Sequence, residues 1–168
     1  MLILGIDPGT ATTGYGIIKA ESKIFEIIDF GLIETEKNGD PGKRLINIHN
    51  QMKRILIDFN PDVVAIERLF FATNAKTAMR VGQAHGVLLY CAASQKKQVF
   101  EYAPGTIKKL ITGDGRADKK MMQKSIRKVF GPSVRSRPKK RTHFDNAADA
   151  LAVALTHALR INEKVGDH

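Results

Sequence analysis

The sequence contains little cysteine, no tryptophan and no long hydrophobic run. Its single cysteine, Cys91, excludes an internal disulfide framework and is typical of a reducing compartment. Cys91 lies in an apolar segment, where we interpret it as part of the core rather than as a nucleophile. No apolar stretch reaches the roughly 20 residues that a membrane helix requires, and the N terminus has no basic leader or cleavage site. We therefore expect a cytoplasmic protein with no membrane partner.

Acidic residues are scarce relative to basic ones, since 17 Asp and Glu stand against 27 Lys and Arg, for a formal net charge of +10. The excess is concentrated in residues 104–143, which hold 13 basic and two acidic residues. That segment carries +11, so the rest of the chain is close to neutral. One basic region on a neutral body favours nucleic-acid binding. The alternatives are a solvated basic surface and a membrane-surface patch.

A single domain over residues 1–168 is expected from the chain length and the lack of internal repeats. Alternating and continuous apolar patterns predict an initial strand ending at Asp7 and further strands at 14–19, 23–33, 61–67 and 98–102. Helical periodicity predicts helices at 45–59, 74–95, 106–111 and 118–130, and a last helix from about 145 to 157. Residues 131–141, rich in proline and basic side chains, are interpreted as a mobile loop.

Three acidic residues recur in similar contexts far apart in the sequence. Asp7 and Glu67 each end a predicted buried strand, and Asp149 lies on the last predicted helix. A carboxylate at the tip of a core strand is costly to bury unless a cation meets it there. Acidic groups that converge from distant segments are what a magnesium-dependent phosphodiester chemistry needs. For Asp7 alone, a solvated carboxylate at a strand end is the alternative.

The element order, three strands and then alternating helices and strands, is similar to the ribonuclease H-like fold, an α/β fold with a five-stranded mixed sheet flanked by helices. Four local motifs resemble those of the RuvC family of bacterial Holliday-junction resolvases. They are Gly-Ile-Asp-Pro-Gly-Thr at 5–10, Ala-Ile-Glu at 65–67 followed by Phe70, Asn74 with Gly-Gln-Ala-His-Gly at 82–86, and the segment from Asn146 to His157. The first motif also occurs in actin-like kinases, but the four in order are specific to this family.

The resemblance implies a nuclease with two Mg²⁺ ions per active site, for which Mn²⁺ substitutes. Asp7, Glu67 and Asp149 match three of the family's four metal-binding positions. The fourth, three residues before Asp149, is usually Asp and sometimes His in the family, but it is Asn146 here. The catalytic and metal-binding set implied by the resemblance is therefore Asp7, Glu67, Asn146 and Asp149.

Asn146 is a departure with chemical consequences. A neutral amide oxygen can ligate Mg²⁺, but it does less than a carboxylate to hold two divalent ions. We interpret Asn146 as a weakening of the site, natural or engineered, that reduces or abolishes cleavage. Asp145 is expected to cap the last helix, although it could replace the missing carboxylate, and His143 is expected to lie before that helix. The alternative function is a non-cleaving protein that binds four-way junctions.

The resemblance also implies DNA contacts and partners. Phe70 matches an aromatic residue that stacks on unpaired bases, whereas core packing is the alternative for both Phe70 and Phe71. Lys108 and Lys119 match lysines near the scissile phosphate. Further DNA-binding residues are expected among the neighbouring basic side chains, namely Lys120, Arg135, Arg137, Lys139, Lys140 and Arg141, with a solvated loop as the alternative for the last five.

Two partners besides four-way junction DNA are implied. Symmetric cuts that leave 5′-phosphates on two strands require a homodimer. Ala78, Gly82 and Gly86 form a small-residue stripe that we expect at its interface, with packing inside the fold as the alternative. The family resemblance also implies a branch-migration motor of the RuvAB type.

Two further enzyme classes are alternatives to a junction resolvase. An actin-like ATPase needs a second glycine loop and a longer second lobe, and neither is present in 168 residues. A ribonuclease H-like transposase or general nuclease would cut linear duplex as readily as branched DNA.

Overall fold

The computed structural model describes residues 1–9, 11–36, 39–69, 74–131 and 141–166, and for 141–146 and 164–166 it describes the backbone alone. Within these residues, three strands come first, two helix–strand pairs follow, and three consecutive helices come last. They are β1 (Leu2–Asp7), β2 (Thr12–Glu21), β3 (Ile24–Glu34), α1 (Pro41–Phe59), β4 (Val63–Glu67), α2 (Ala75–Ser94), β5 (Gln98–Tyr102), α3 (Pro104–Thr112), α4 (Lys119–Phe130) and α5 (Arg141–Gly166).

The strands form one mixed sheet in the order β3-β2-β1-β4-β5. The first three strands are antiparallel neighbours, as the short links between them predict. β4 pairs parallel with β1, and β5 pairs parallel with β4. The sequence prediction of a five-stranded mixed sheet is thus confirmed, while the single domain stays a prediction.

Both faces of the sheet are covered, so side chains that alternate along a strand enter two different cores. On one face, Ile3, Ala65 and Phe100 pack with α3, α4 and α5. On the other face, Leu4 and Val64 pack with α1 and α2. The apolar stripe predicted for α1 is confirmed, because its buried residues are Ile48, Met52, Ile55 and Leu56.

Helix α5 lies unusually close to the central strands because glycines face it. A Cβ atom added at Gly5 would overlap the Ala150 carbonyl and lie 2.6 Å from the Ala154 nitrogen. A Cβ atom added at Gly16 would lie 2.7 Å from the Leu151 side chain. The glycines of β1 and β2 therefore let the backbone of α5 approach the sheet directly, which places the start of α5 beside the ends of β1 and β4.

Local sequence signals explain most of the helix starts. Asp40, Asn74 and Asp118 accept hydrogen bonds from first-turn amides of α1, α2 and α4. Pro104 occupies the first turn of α3, where proline lacks no needed hydrogen bond. In the described part of the chain, no helix is long and apolar enough to cross a membrane.

The start of α5 corrects three expectations. The helix begins at Arg141 rather than near Asp145, so Arg141 belongs to the helix and not to the preceding loop. Asp145 lies inside the helix and is not its N-cap. His143 lies within the first turn rather than before it. The physical reason is that Asp is favoured both as a cap and within the first turns of a helix, so its presence does not by itself mark the boundary.

Candidate active site

Strand register and side-chain parity bring Asp7 and Glu67 to one place. Ile6 pairs with Ile66 in the parallel β1–β4 ladder, so the next residues of both strands end the sheet side by side. Asp7 points to the same face of the sheet as Gly5, two residues before it, and Glu67 points to the same face as Ala65. Both carboxyl groups therefore face α5, the helix that carries Asp149.

The Asp7 and Glu67 carboxyl groups share a hydrogen bond. Burial, followed by that hydrogen bond and by the negative charge of Glu67, raises the pKa of Asp7 to about 8. Burial also raises the pKa of Glu67, against the opposing effect of the hydrogen bond from Asp7. The two carboxyl groups therefore share one proton between them.

Asp149 is the third carboxyl group of the cluster. Burial raises its pKa, and the charge of Asp7 raises it further, while Lys119 and Lys108 act in the opposite direction. Asp149 in turn raises the pKa of Glu67. The structure therefore brings the three predicted carboxylates from β1, β4 and α5 into electrostatic contact with one another.

A cleft of about 190 Å³ opens beside these groups. Its polar wall consists of two carboxylates and of the two lysines that the family resemblance implies lie near the scissile phosphate. Its apolar wall consists of residues that the sequence reasoning missed. The lining residues are Glu67, Pro104, Ile107, Lys108, Lys119, Met122, Asp149 and Val153.

Helical spacing could have identified part of the apolar wall. Val153 follows Asp149 by four residues on α5, and Met122 follows Lys119 by three residues on α4. Residues three or four apart lie on the same helix face, so a residue at either spacing shares the surface of the polar group before it. Lys120, by contrast, is exposed on α4 and does not line the cleft.

The residues present fit a hard cation, because the carboxyl oxygens of Asp7 and Glu67 lie together and retain a proton that reduces the repulsion between them. The fit is incomplete in the described residues: no three or more His, Cys, Asp or Glu side chains there are grouped so as to hold a metal ion together. Asp7 and Glu67 form a contacting pair, and Asp149 acts on them as a neighbouring charge.

Several predicted residues lie outside the described residues. These are Phe70, Phe71, Arg135, Arg137, Lys139 and Lys140. For Asn146 and Arg141 the structure describes the backbone alone. That backbone is continuous helix from residue 141 to residue 166, so positions 146 and 149 are separated by three residues within one helix, as the sequence analysis assumed.

Comparison with known proteins identifies the family. A family model described as crossover junction endodeoxyribonuclease RuvC matches residues 3–157. The chain belongs to the RuvC family. A crossover junction endodeoxyribonuclease RuvC from Alkaliphilus oremlandii is 45% identical over 158 residues, which cover 94% of this chain and 93% of the relative. Membership of the RuvC family makes the chain a metal-dependent endodeoxyribonuclease, and the predicted enzyme class is confirmed.

Solved structures support the same assignment. The structure of T. thermophilus RuvC in complex with a Holliday junction substrate is 30% identical with a TM-score of 0.85, covering 98% of this chain and 96% of that one. The yeast mitochondrial Holliday junction resolvase Ydc2 is 19% identical with a TM-score of 0.69, covering 99% of this chain and 80% of that one, and it shows the fold alone. The ribonuclease H-like fold class predicted from the sequence is confirmed.

Proposed function

We propose that this RuvC-family chain resolves four-way DNA junctions by hydrolysing two phosphodiester bonds placed symmetrically on two strands, leaving 5′-phosphates. The observation that supports it is the Asp7–Glu67 pair facing Asp149 beside a cleft that also holds Lys108 and Lys119. Carboxylates would bind cations and lysines would bind a phosphate, so the two kinds of charge in one cleft suit a phosphodiester.

The cations that fit this donor set are two Mg²⁺ ions, with Mn²⁺ as a substitute, because both prefer oxygen ligands. When bound, such a pair would activate a water and stabilise the leaving oxygen of an in-line displacement. Asp7 lies on the central strand of the sheet, beside the strand that bears Glu67 and facing the helix that bears Asp149, and would hold both ions together with them. Glu67 and Asp149 would each ligate one ion, and the amide oxygen of Asn146 would be the fourth protein ligand.

The chain's own residues would prepare the substrate. Lys108 and Lys119 line the cleft and would neutralise the scissile phosphate. The apolar wall formed by Ile107, Met122 and Val153 would exclude water from one side of that phosphate. In a cleft with little water, the lysine charges act on the phosphate more strongly than they would in solution.

Junction binding requires contacts beyond the cleft. Phe70 and Phe71 follow Glu67 closely in the sequence, so they would contact DNA next to the site, with Phe70 stacking on unpaired bases. Lys120, Arg135, Arg137, Lys139, Lys140 and Arg141 would hold the DNA arms by charge.

Two such sites must act together if both strands are cut. Gly82 and Gly86 of α2 have open space where a Cβ would lie, so the two glycines of the small-residue stripe do not pack inside the described fold. This supports its proposed use as the surface of a homodimer. A branch-migration motor of the RuvAB type remains the proposed further partner.

The deciding experiment compares the unmodified chain with Asn146→Asp on a synthetic four-way junction in Mg²⁺ and in Mn²⁺. We expect Asn146→Asp to produce paired nicks and the unmodified chain to bind the junction but cut it more slowly, because the added carboxylate strengthens metal binding. Linear duplex of the same sequence is the control, and comparable cutting of it would indicate a general nuclease.

Asp149→Asn in the Asn146→Asp background supplies the matched negative control, since it removes a proposed ligand without changing side-chain volume. If neither the unmodified chain nor Asn146→Asp cuts with any divalent ion, the chain is a non-cleaving junction-binding protein instead.

A further inference from the structure

A part-buried polar contact joins β5 to α5 on the face of the sheet that carries the site. The Tyr102 hydroxyl lies 2.6 Å from Nδ1 of His157. His157 is 2% exposed, and its ring packs against Phe100 with 4.4 Å between ring centroids. Burial raises the pKa of Tyr102, so the phenol keeps its proton near neutral pH and can donate it to His157. The contact is therefore a directional hydrogen bond within an otherwise apolar core.

Tyr102, at one end of this hydrogen bond, is paired through its backbone with the strand that bears Glu67. Tyr102 pairs with Glu67 in the parallel β4–β5 ladder. In addition, the Arg68 amide donates a hydrogen bond of 2.8 Å to the Tyr102 carbonyl oxygen. Tyr102 is therefore fixed to the chain at Glu67 and directly after it.

The other end is tied to the helix that bears Asp149. His157 follows Asp149 by eight residues on α5, which corresponds to about 12 Å and slightly more than two turns. The hydrogen bond therefore links the two elements that position Glu67 and Asp149, from a point inside the core and outside the cleft.

Rotation of α5 about its own axis is the motion that this link resists. The contacts of α5 at Gly5 and Gly16 are made by Ala150, Leu151 and Ala154, and apolar contacts of this kind have no preferred direction. A hydrogen bond, in contrast, weakens steeply when its angle or length departs from the optimum. A rotation of about 10° would move a group about 6 Å from the helix axis by about 1 Å. Displacements of about 1 Å at a reacting site can cost about 100-fold in rate.

We propose that Tyr102 and His157 are positioning residues that fix the rotation of α5 and thereby the place of the Asp149 carboxylate opposite Glu67. The inference rests on the proposed function, because it assigns the pair a role in the geometry of that metal site. Neither residue lines the cleft, so neither is expected to touch the DNA or the ions.

The test uses Tyr102→Phe, which removes the hydroxyl and keeps the ring. Its matched control is Tyr15→Phe, because the Tyr15 hydroxyl makes a part-buried hydrogen bond of 2.9 Å to Asp29 between β2 and β3. We expect both variants to lower the unfolding temperature by similar amounts in EDTA. Only Tyr102→Phe should raise the Mn²⁺ concentration needed for half-maximal thermal stabilisation without DNA, by about 10-fold or more, as is usual for residues that orient metal ligands.

Cleavage supplies the second measurement. For Tyr102→Phe in the Asn146→Asp background, we expect kcat to fall about 10- to 100-fold while junction affinity in Ca²⁺ changes less than about twofold. His157→Leu should behave like Tyr102→Phe, and the double variant should show little further loss. His157→Asn, which retains an acceptor close to the position of Nδ1, should recover part of the Mn²⁺ response.

Two outcomes would contradict the proposal in different ways. If Tyr102→Phe and Tyr15→Phe have the same Mn²⁺ response and kcat, the positioning role is wrong, although the proposed function stands because the parent chain still binds metal and cuts. If Mn²⁺ fails to stabilise the unmodified chain and Asn146→Asp, the proposed metal site is wrong and the positioning role is lost with it.

Discussion

Asp7 remains protonated at pH values at which an exposed aspartic acid is fully ionised. Burial and the hydrogen bond to Glu67 raise the pKa of Asp7 from 3.8 to about 8. Between these two values, the folded protein keeps a proton that the unfolded chain has released. The stabilisation from this proton is complete at acidic pH and is lost as pH rises through about 8.

Asp7→Asn should reveal this linkage, because the amide has the same shape and does not ionise. In EDTA, the free energy of unfolding of the unmodified chain should decrease relative to that of Asp7→Asn as pH rises from about 5 to about 8. Urea unfolding at several pH values measures the difference. Addition of Mn²⁺ at pH 8 should stabilise the unmodified chain and leave Asp7→Asn unchanged.

Asp40→Asn is the control for this measurement, because Asp40 caps α1 away from the site and Asn caps helices equally well. Its pH dependence should follow that of the unmodified chain. A constant difference between Asp7→Asn and the unmodified chain across this pH range would contradict the shared proton.

Helix α5 is the element on which the site depends most, because it approaches β1 at Gly5. Gly5→Ala would place a methyl group within 2.6 Å of the Ala154 nitrogen, so the helix must move away from the sheet. We expect a loss of about 1–3 kcal/mol in the free energy of unfolding and a larger proportional loss of cleavage, since Asp149 moves with the helix. Urea unfolding and junction cleavage measure the two effects.

Gly105→Ala in α3 is the matched control for Gly5→Ala, because Gly105 lies outside the small-residue stripe. A Cβ at Gly105 meets only the Gly115 carbonyl oxygen, at 3.9 Å, and alanine is favoured over glycine in a helix by roughly 1 kcal/mol. This variant should therefore be as stable as the unmodified chain or more so. Equal stability of Gly5→Ala and Gly105→Ala would show that α5 can adjust without cost.

Element by element, the sequence predicted what depends on local pattern. The apolar periodicity of α1, the strand at Gln98–Tyr102 and the helix that ends at Phe130 were all predicted correctly, because each is determined by neighbouring residues. The start of α5 was wrong, since Asp145 is compatible with both a cap and a helical interior. The Tyr102–His157 hydrogen bond was not predicted, because 55 residues separate its partners and no local pattern links them.

The candidate site also has some features that local sequence predicts and others that depend on residues distant in the sequence. Asp7, Glu67 and Asp149 were predicted to converge because strand ends and family motifs marked them. The proton shared by Asp7 and Glu67 depends on burial and on the β1–β4 register, which a one-dimensional sequence does not contain. The apolar wall at Ile107 and Met122 depends in the same way on how α3 and α4 pack against α5.

For the whole molecule, symmetric cutting requires that two copies be held together. Gly86→Lys would place a long charged side chain on the small-residue stripe without a clash inside the described fold. We expect the unmodified chain to sediment as a dimer and Gly86→Lys as a monomer that makes single rather than paired nicks.

Ser94→Lys is the control for the added charge, because Ser94 is exposed at the end of the same helix. This variant should remain dimeric. Analytical ultracentrifugation and nicked-product analysis measure both properties. A dimer that survives Gly86→Lys would place the subunit contact elsewhere on the molecule.

The hydrogen bond between Asp7 and Glu67 has a consequence for the sequence of events at a junction. With one proton between them, the two carboxyls present a single negative charge instead of two, so an approaching DNA strand is repelled less. If divalent ions bind this pair as proposed, their binding would displace that proton. Ion uptake near neutral pH should therefore acidify a weakly buffered solution, and DNA docking can precede it.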